Sequence, residues 1–175
     1  MNEALEDKQL IENAKADPEQ FAALYNKYIN KIYQFIYYRV KNDKDTAFDL
    51  SAEVFTRALK NLPNFQWQGF PYSAYLYRTA RSLCQEHYGK KIAINIDDIV
   101  IKDESSVTNP DKTDLLILWD EIRKLKPPLP EIFELHFLKG LSYEEIGEII
   151  GKNSGAIRTA ISRAISNLQK KYGQI

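Results

Sequence analysis

GLSYEEIGEIIGKNSGAIRTAISRAISNL, Gly140 to Leu168, reads as two helices joined by a tight turn, the second shaped to lie against a polyanion. Ser142 and Glu145 stand at the spacing of a capping box that starts the first helix. Ile146, Ile149 and Ile150 give that helix its inward side, and Gly151 supplies the left-handed residue that ends it. The second helix is expected from Ser154. At about 100° per residue, Ile157, Ile161, Ala164, Ile165 and Leu168 fall on one side of it. Gly155, Arg158, Thr159, Ser162, Arg163 and Ser166 fall roughly opposite. One side packs; the other is small, polar and basic. A helix-turn-helix whose second helix enters a DNA major groove needs that division, with small residues for close approach and arginines for guanine edges or phosphates. An amphipathic hairpin in an ordinary bundle is the plain alternative, and charge argues against it. From Gly151 onward the charged residues are Lys152, Arg158, Arg163, Lys170 and Lys171, with no acid among them.

The 175 residues suffice for one domain or two small ones. Hydrophobic residues make up 44% and the formal net charge is zero, so affinity for nucleic acid has to come from local patches. The sole cysteine, Cys84, excludes an intramolecular disulfide and fits a reducing compartment. MNEALEDKQLIENA is too polar for a signal peptide, and no apolar run approaches the length of a membrane span. A cytoplasmic protein is expected.

Elsewhere the periodicity is helical. Asp17 and Pro18 mark a helix start, after which Phe21, Leu24, Tyr28, Ile32, Phe35, Ile36 and Val40 keep helical spacing, with Lys27, Lys31 and Arg39 between them. The polar break KNDKD leads to a third helix with Ala47, Leu50, Val54, Ala58 and Leu62 as its buried stripe; Asp49, Glu53 and Phe55 face elsewhere. Pro63 stops it. NFQWQGFPYSAY then crowds Phe65, Trp67, Phe70, Tyr72 and Tyr75 around Gly69 and Pro71, far denser in rings than the chain average of 12%. A fourth helix opens at Pro71, with Leu76, Ala80 and Leu83 inward and Arg78, Arg81 and Gln85 outward. IAINIDDIVIKDESSVTNPD alternates like a strand but has no partner strand, so an extended linker is expected there. Helical spacing returns with Leu115, Leu118, Trp119, Ile122 and Leu125. Past Pro127, Pro128 and Pro130, Ile132, Phe133, Leu135, Phe137 and Leu138 carry a further helix to Gly140. The fold class is all-α: two small helical domains, residues 1–90 and 113–175, joined by a flexible linker over 91–112, the C-terminal domain a helix-turn-helix.

FAALYNKYINKIYQFIYYRV, DLSAEVFTRALKNLPNF and AYLYRTAR in the first half, and LPEIFELHFLKGLSYEEIGEIIGKNSGAIRTAISRAISNL in the second, resemble the second and fourth conserved regions of the extracytoplasmic-function (ECF) sigma factors of bacterial RNA polymerase. The resemblance implies a protein that binds core RNA polymerase, directs it to promoters and helps open the duplex, without catalysis and without a cofactor. It implies that Asp49, Glu53 and Phe55 meet the β′ clamp helices, acids against a basic surface with an apolar anchor beside them. The loop from Phe65 to Tyr72 corresponds to the reader of the promoter −10 element. Trp67, Phe70 and Tyr72 are then the rings that trap unpaired bases, while Arg78 and Arg81 hold phosphates of the same strand. The second helix of the opening stretch corresponds to the reader of the −35 element. There Arg158, Thr159, Ser162 and Arg163 face DNA, with Lys152 and the helix start at Ser154 on phosphate. Phe133, Phe137 and Leu138 fall on the surface for the β flap, with Glu131, Glu134, Glu144, Glu145 and Glu148 as acids facing a protein partner. Asp97 and Asp98 lie in the linker that threads the polymerase, and an anti-sigma protein is a further partner the resemblance suggests. The family often has Gln where Ala52 stands, Asn and Asp where Ser82 and Glu86 stand, and a base at Ala160 and Ile165.

Two other functions compete. Cys84 and His87, three apart on one helix, could form a thiol and base, yet both are expected on the apolar side and no third member is evident. His87 and His136 lie in different domains, so no metal site is expected. A helix-turn-helix regulator acting without polymerase is the stronger rival, but it has no use for a separate aromatic, strand-opening domain.

Overall fold

The computed structural model describes residues 3–89 and 111–172; among them every regular element is helical, and they form two compact units. The linker expected at 91–112, with its strand-like run and with Asp97 and Asp98, lies outside the described residues except for its last two positions, which open a helix. No described helix is long and apolar enough to cross a membrane.

The first unit holds α1 (Glu3–Ala16), α2 (Phe21–Arg39), α3 (Lys44–Asn61) and α4 (Tyr72–Tyr88). Asp17 caps a short 3-10 turn, Pro18–Gln20, its carboxylate accepting from the Glu19 N–H at 3.1 Å, and α2 follows directly. The expected stripe of α2 is buried from Phe21 to Val40. Arg39 departs from expectation: it is only 6% exposed, its guanidinium 3.4 Å from the centroid of the Phe35 ring while it donates to the Phe35 carbonyl at 3.1 Å. The KNDKD break turns through Lys41 and Asn42, both at positive φ, before Asp43 caps α3 by accepting from the amides of Asp45 and Thr46. Helices α2, α3 and α4 pack against one another, with Phe35 meeting Tyr77 edge-on at 4.9 Å.

The stripe of α3 is rotated from the expected one. Ser51 and Phe55 join Ala47, Val54 and Ala58 inside, while Leu50 is only half-buried. Phe55 is 4% exposed and packs edge-on against Tyr25 at 4.8 Å and Phe21 at 6.5 Å, so it serves the core and offers no surface anchor. The exposed ring on this helix is Phe48, at 67%.

Residues before Asp17, too polar to show a clear apolar stripe, form α1, which lies on α2 and also touches α4. Its inward positions are Ala4, Asp7, Ile11 and Ala14, a helical spacing with one large apolar side chain and a carboxylate in the middle. Burying an isoleucine contributes about 1.5–3 kcal/mol. Ile11 supplies that, and Asp7 supplies hydrogen bonds described below.

The second unit holds α5 (Asp111–Arg123), α6 (Leu129–Phe133), α7 (Tyr143–Ile150) up to Gly147, and α8 (Ser154–Tyr172). The single helix expected up to Gly140 is instead α6 followed by a π-helical turn, Glu134–Leu138. The wider turn places Phe133 and Leu135 inside and leaves Phe137 53% and Leu138 39% exposed. His136 closes it: ring Nδ1 lies 2.8 Å from the Leu141 carbonyl oxygen and so carries the proton, and the ring stacks on Tyr143. Of the five acids expected outward, Glu131 and Glu134 are buried, and Glu145 is committed to the capping box. Ile122, Ile132, Ile146, Ile157, Ile161 and Leu168 complete this core. Lys171 near the end of α8 reaches Glu121 of α5 at 2.8 Å.

Candidate nucleic-acid interface

The helix-turn-helix is built from hydrogen bonds the sequence announces. The Ser142 hydroxyl accepts from the Glu145 N–H at 3.2 Å, and the Glu145 carboxylate accepts from the Ser142 N–H at 2.6 Å. Gly151 ends α7 at φ 74°, and the Gly147 carbonyl accepts from both the Gly151 and Lys152 amides. A side chain at Gly147 would not fit, because its Cβ would stand 2.7 Å from the Lys152 carbonyl oxygen. Asn153 then caps α8, its side-chain oxygen accepting from the Gly155 N–H at 2.8 Å. Asn153 was not among the expected caps, although an Asn just before a helix start is a strong cap signal.

On α8, Ile157, Ile161, Ala164 and Leu168 are buried, Ile165 is half-buried, and Arg158, Thr159, Ser162, Arg163 and Ser166 are exposed, as is Lys152 in the turn. Ser154 is half-buried at the helix start. The Thr159 hydroxyl donates back to the Gly155 carbonyl at 2.9 Å, which leaves its methyl and lone pairs outward. Arg158 stands 3.7 Å from Glu144 of α7, over the Tyr143 ring at 5.5 Å. Both partners are exposed, and such pairs contribute only about 0–1 kcal/mol, so a phosphate can displace Glu144. Arg163 has no ion-pair partner among the described residues. Together these make a bare, basic, small-residue face on a rigid helix.

The aromatic loop of the first unit sorts its rings by depth. Tyr72 is 1% exposed, enclosed by Phe65 edge-on at 5.1 Å and by Tyr75 stacked at 5.3 Å. Burial, and secondarily Tyr75, pushes its phenol well above the usual tyrosine range. Expected as a base-stacking ring, it is a core residue, because its position opening α4 turns it inward. Trp67 and Phe70 remain half-buried in the loop between exposed Gln66 and Gln68 and Gly69, which adopts φ 85°. Arg78 is exposed, 5.8 Å over the Tyr75 ring, and Arg81 is half-buried one turn on.

Two contacts from α1 hold this loop. Lys15 donates to the Phe65 carbonyl at 2.8 Å. Asp7, with no exposed surface, accepts from the Tyr72 amide at 2.6 Å, from the Tyr28 hydroxyl at 2.5 Å and from Lys27 at 2.8 Å. Hydrogen bonds to an ionised group contribute about 1.5–3 kcal/mol each. Burial works against the charge on Lys27, but Asp7 and Glu6 together raise its pKa.

On α3, Asp49 is exposed, and Glu53 is half-buried and paired with Arg57 at 2.8 Å. Arg57 also reaches Glu86 at 3.1 Å; that hydrogen bond holds the Glu86 carboxyl below the usual range. Cys84 is buried whereas His87 is exposed, so the two do not share a side. Among the described residues no three His, Cys, Asp or Glu side chains gather as metal ligands do.

Two family models match the chain: Sigma-70 region 2 over residues 24–92, and Sigma-70, region 4 over residues 115–168. The chain is 35% identical over 170 residues to the ECF RNA polymerase sigma factor BldN of Streptomyces coelicolor, a match that covers 93% of this chain and 64% of that protein's length. It is 30% identical to the ECF RNA polymerase sigma factor ShbA of Streptomyces griseus, with 69% of each chain covered. It is also similar to the ECF sigma factor SigW of Bacillus subtilis, at 28% identity over 94% of this chain and 95% of the other. Among solved structures, CnrH in complex with the cytosolic domain of CnrY superposes with a TM-score of 0.63 at 17% identity, covering 94% of this chain and 95% of that one.

Proposed function

This chain belongs to the ECF sigma factors of RNA polymerase, and on that premise we propose that it binds core polymerase, brings it to specific promoters and assists the opening of the duplex there. The observation that carries the reading is the division of labour between two units on one chain. One presents a helix-turn-helix with a small, basic face; the other presents half-buried Trp67 and Phe70 from a loop that Tyr72 anchors in the core. Trp67 and Phe70 stack on or pocket bases as they unpair, and Arg78 and Arg81 hold the backbone of that strand. Arg158, Thr159, Ser162 and Arg163 read the −35 element, with Lys152 and the amide end of α8 at Ser154 on phosphate.

Asp49 and Glu53 meet the polymerase clamp, and Phe48 takes the part of apolar anchor that Phe55 cannot fill. Phe137 and Leu138 dock on the polymerase flap. Residues 1–90, 91–112 and 113–175 act as −10 domain, connector and −35 domain. The work is binding and positioning in the cytoplasm, with no bond chemistry of its own, and an anti-sigma protein that covers these surfaces belongs to the same proposal.

The test is permanganate reactivity of a duplex promoter incubated with core polymerase and the chain. Opening near −10 is expected with the wild type and not with core polymerase alone. Trp67→Ala should lose that opening while still binding polymerase; undiminished reactivity would remove Trp67 from the mechanism.

A further inference from the structure

Helix α1 makes a hydrogen bond to each end of the loop. The Phe65 carbonyl, where the loop begins, accepts from Lys15, and the Tyr72 amide, where it ends, donates to Asp7. Eight residues separate Asp7 from Lys15, about 12 Å along a helix. The Tyr72 amide is one of the first N–H groups of α4, which no partner within the helix can satisfy. Pro71, which precedes α4, offers no side-chain cap, so the capping carboxylate comes from another helix. Asp7 has no freedom to follow the loop, since Tyr28 and Lys27 of α2 fix both of its oxygens. The loop's ends are thereby referenced to the α1–α2 pair, while Gln66 to Phe70 lie free of these two clamps.

We infer that α1 is a positioning element for the aromatic loop: Asp7 and Lys15 set the points from which Trp67 and Phe70 reach unpaired bases, without touching DNA themselves. This rests on the reading of the loop as the −10 reader. A strand-trapping ring has to be in place before the base arrives, because a loop that orders only on binding spends binding energy on its own ordering. Weakening either clamp should therefore impair opening and −10 selectivity on duplex DNA, and matter little where the strands are already apart.

The experiment uses the full chain with core polymerase on a promoter selected by that pair in vitro, as a duplex and as a pre-opened bubble. Lys15→Met, which keeps the aliphatic stem of a partly exposed side chain, should lower duplex opening about tenfold, the equivalent of one charge-assisted hydrogen bond. Polymerase binding and the bubble template should be unaffected, and Lys15→Arg should restore opening. Asp7→Asn, scored only where circular dichroism shows the helices intact, should do the same and should flatten the difference between the selected −10 sequence and a scrambled one. Lys8→Ala, exposed on the same helix, should behave as wild type. If Trp67→Ala impairs opening while Lys15→Met and folded Asp7→Asn do not, the positioning role is wrong and the loop's role stands. If Trp67→Ala leaves opening intact, the loop is not the reader and the inference falls with it. Equal losses on duplex and bubble would also overturn it, because they would mark a general defect.

Discussion

Arg158, the proposed reader on α8, is held in place at small cost. Its guanidinium rests over half-buried Tyr143 and near Glu144, with both ion-pair partners exposed, so exchanging this weak pair for a DNA contact costs little. If it reads a base edge, Arg158→Ala should weaken discrimination among −35 variants by about 1–3 kcal/mol. Transcription from a panel of −35 variants checks this, and a uniform loss across the panel would make it a phosphate contact instead. Its exposure was legible because helical spacing separates Arg158, Thr159, Ser162 and Arg163 cleanly from four buried apolar neighbours. Tyr72 and Phe55 were not legible in the same way. Spacing can place a ring in a cluster, but the order of depth within the cluster depends on Phe65, Tyr75, Phe21 and Tyr25, which come from other turns and helices.

At the scale of elements, the turn between α7 and α8 depends on a residue with no side chain. Alanine at position 147 gains about 1 kcal/mol of helix propensity over glycine, but its Cβ would meet the Lys152 carbonyl oxygen at 2.7 Å. Forcing atoms into a packed site costs about 1–3 kcal/mol, and the group in the way is backbone that cannot swing aside. Gly147→Ala should thus lower the denaturation midpoint of the C-terminal unit, followed by hydrogen exchange at Ile146 and Ile157; unchanged protection there would mean that the turn yields. The capping box and the Gly151 stop were readable because both are local. Helix α1 was not, since Ala4, Asp7, Ile11 and Ala14 give its buried face one large apolar side chain and a charge whose partners sit on α2 and α4. The π-helical turn was equally hidden: it shows in the Lys139 amide, which donates five residues back to the Glu134 carbonyl.

Across the whole molecule, formal neutrality fits a protein that binds nucleic acid through two separate small surfaces and leaves the rest for protein partners. The all-helical class and the two-unit division followed from periodicity, because amphipathic helices state their own buried side. The exposed ring of Phe48 did not follow, and of the three apolar residues expected on one partner surface packing leaves Phe137 and Leu138 outside but takes Phe133 in. A basic face carrying two arginines is weak alone, since it neutralises few phosphates and salt competes directly with that attraction. Under the proposed function, promoter choice is then a joint act of α8, the aromatic loop and polymerase. The most direct measurement is to sequence the 5′ ends of transcripts made by core polymerase from a random promoter library, with and without this chain. The proposed function requires new, discrete start sites that appear only with the chain and share paired −35 and −10 motifs. Specific duplex binding by the chain with no association with polymerase and no new start sites would contradict it.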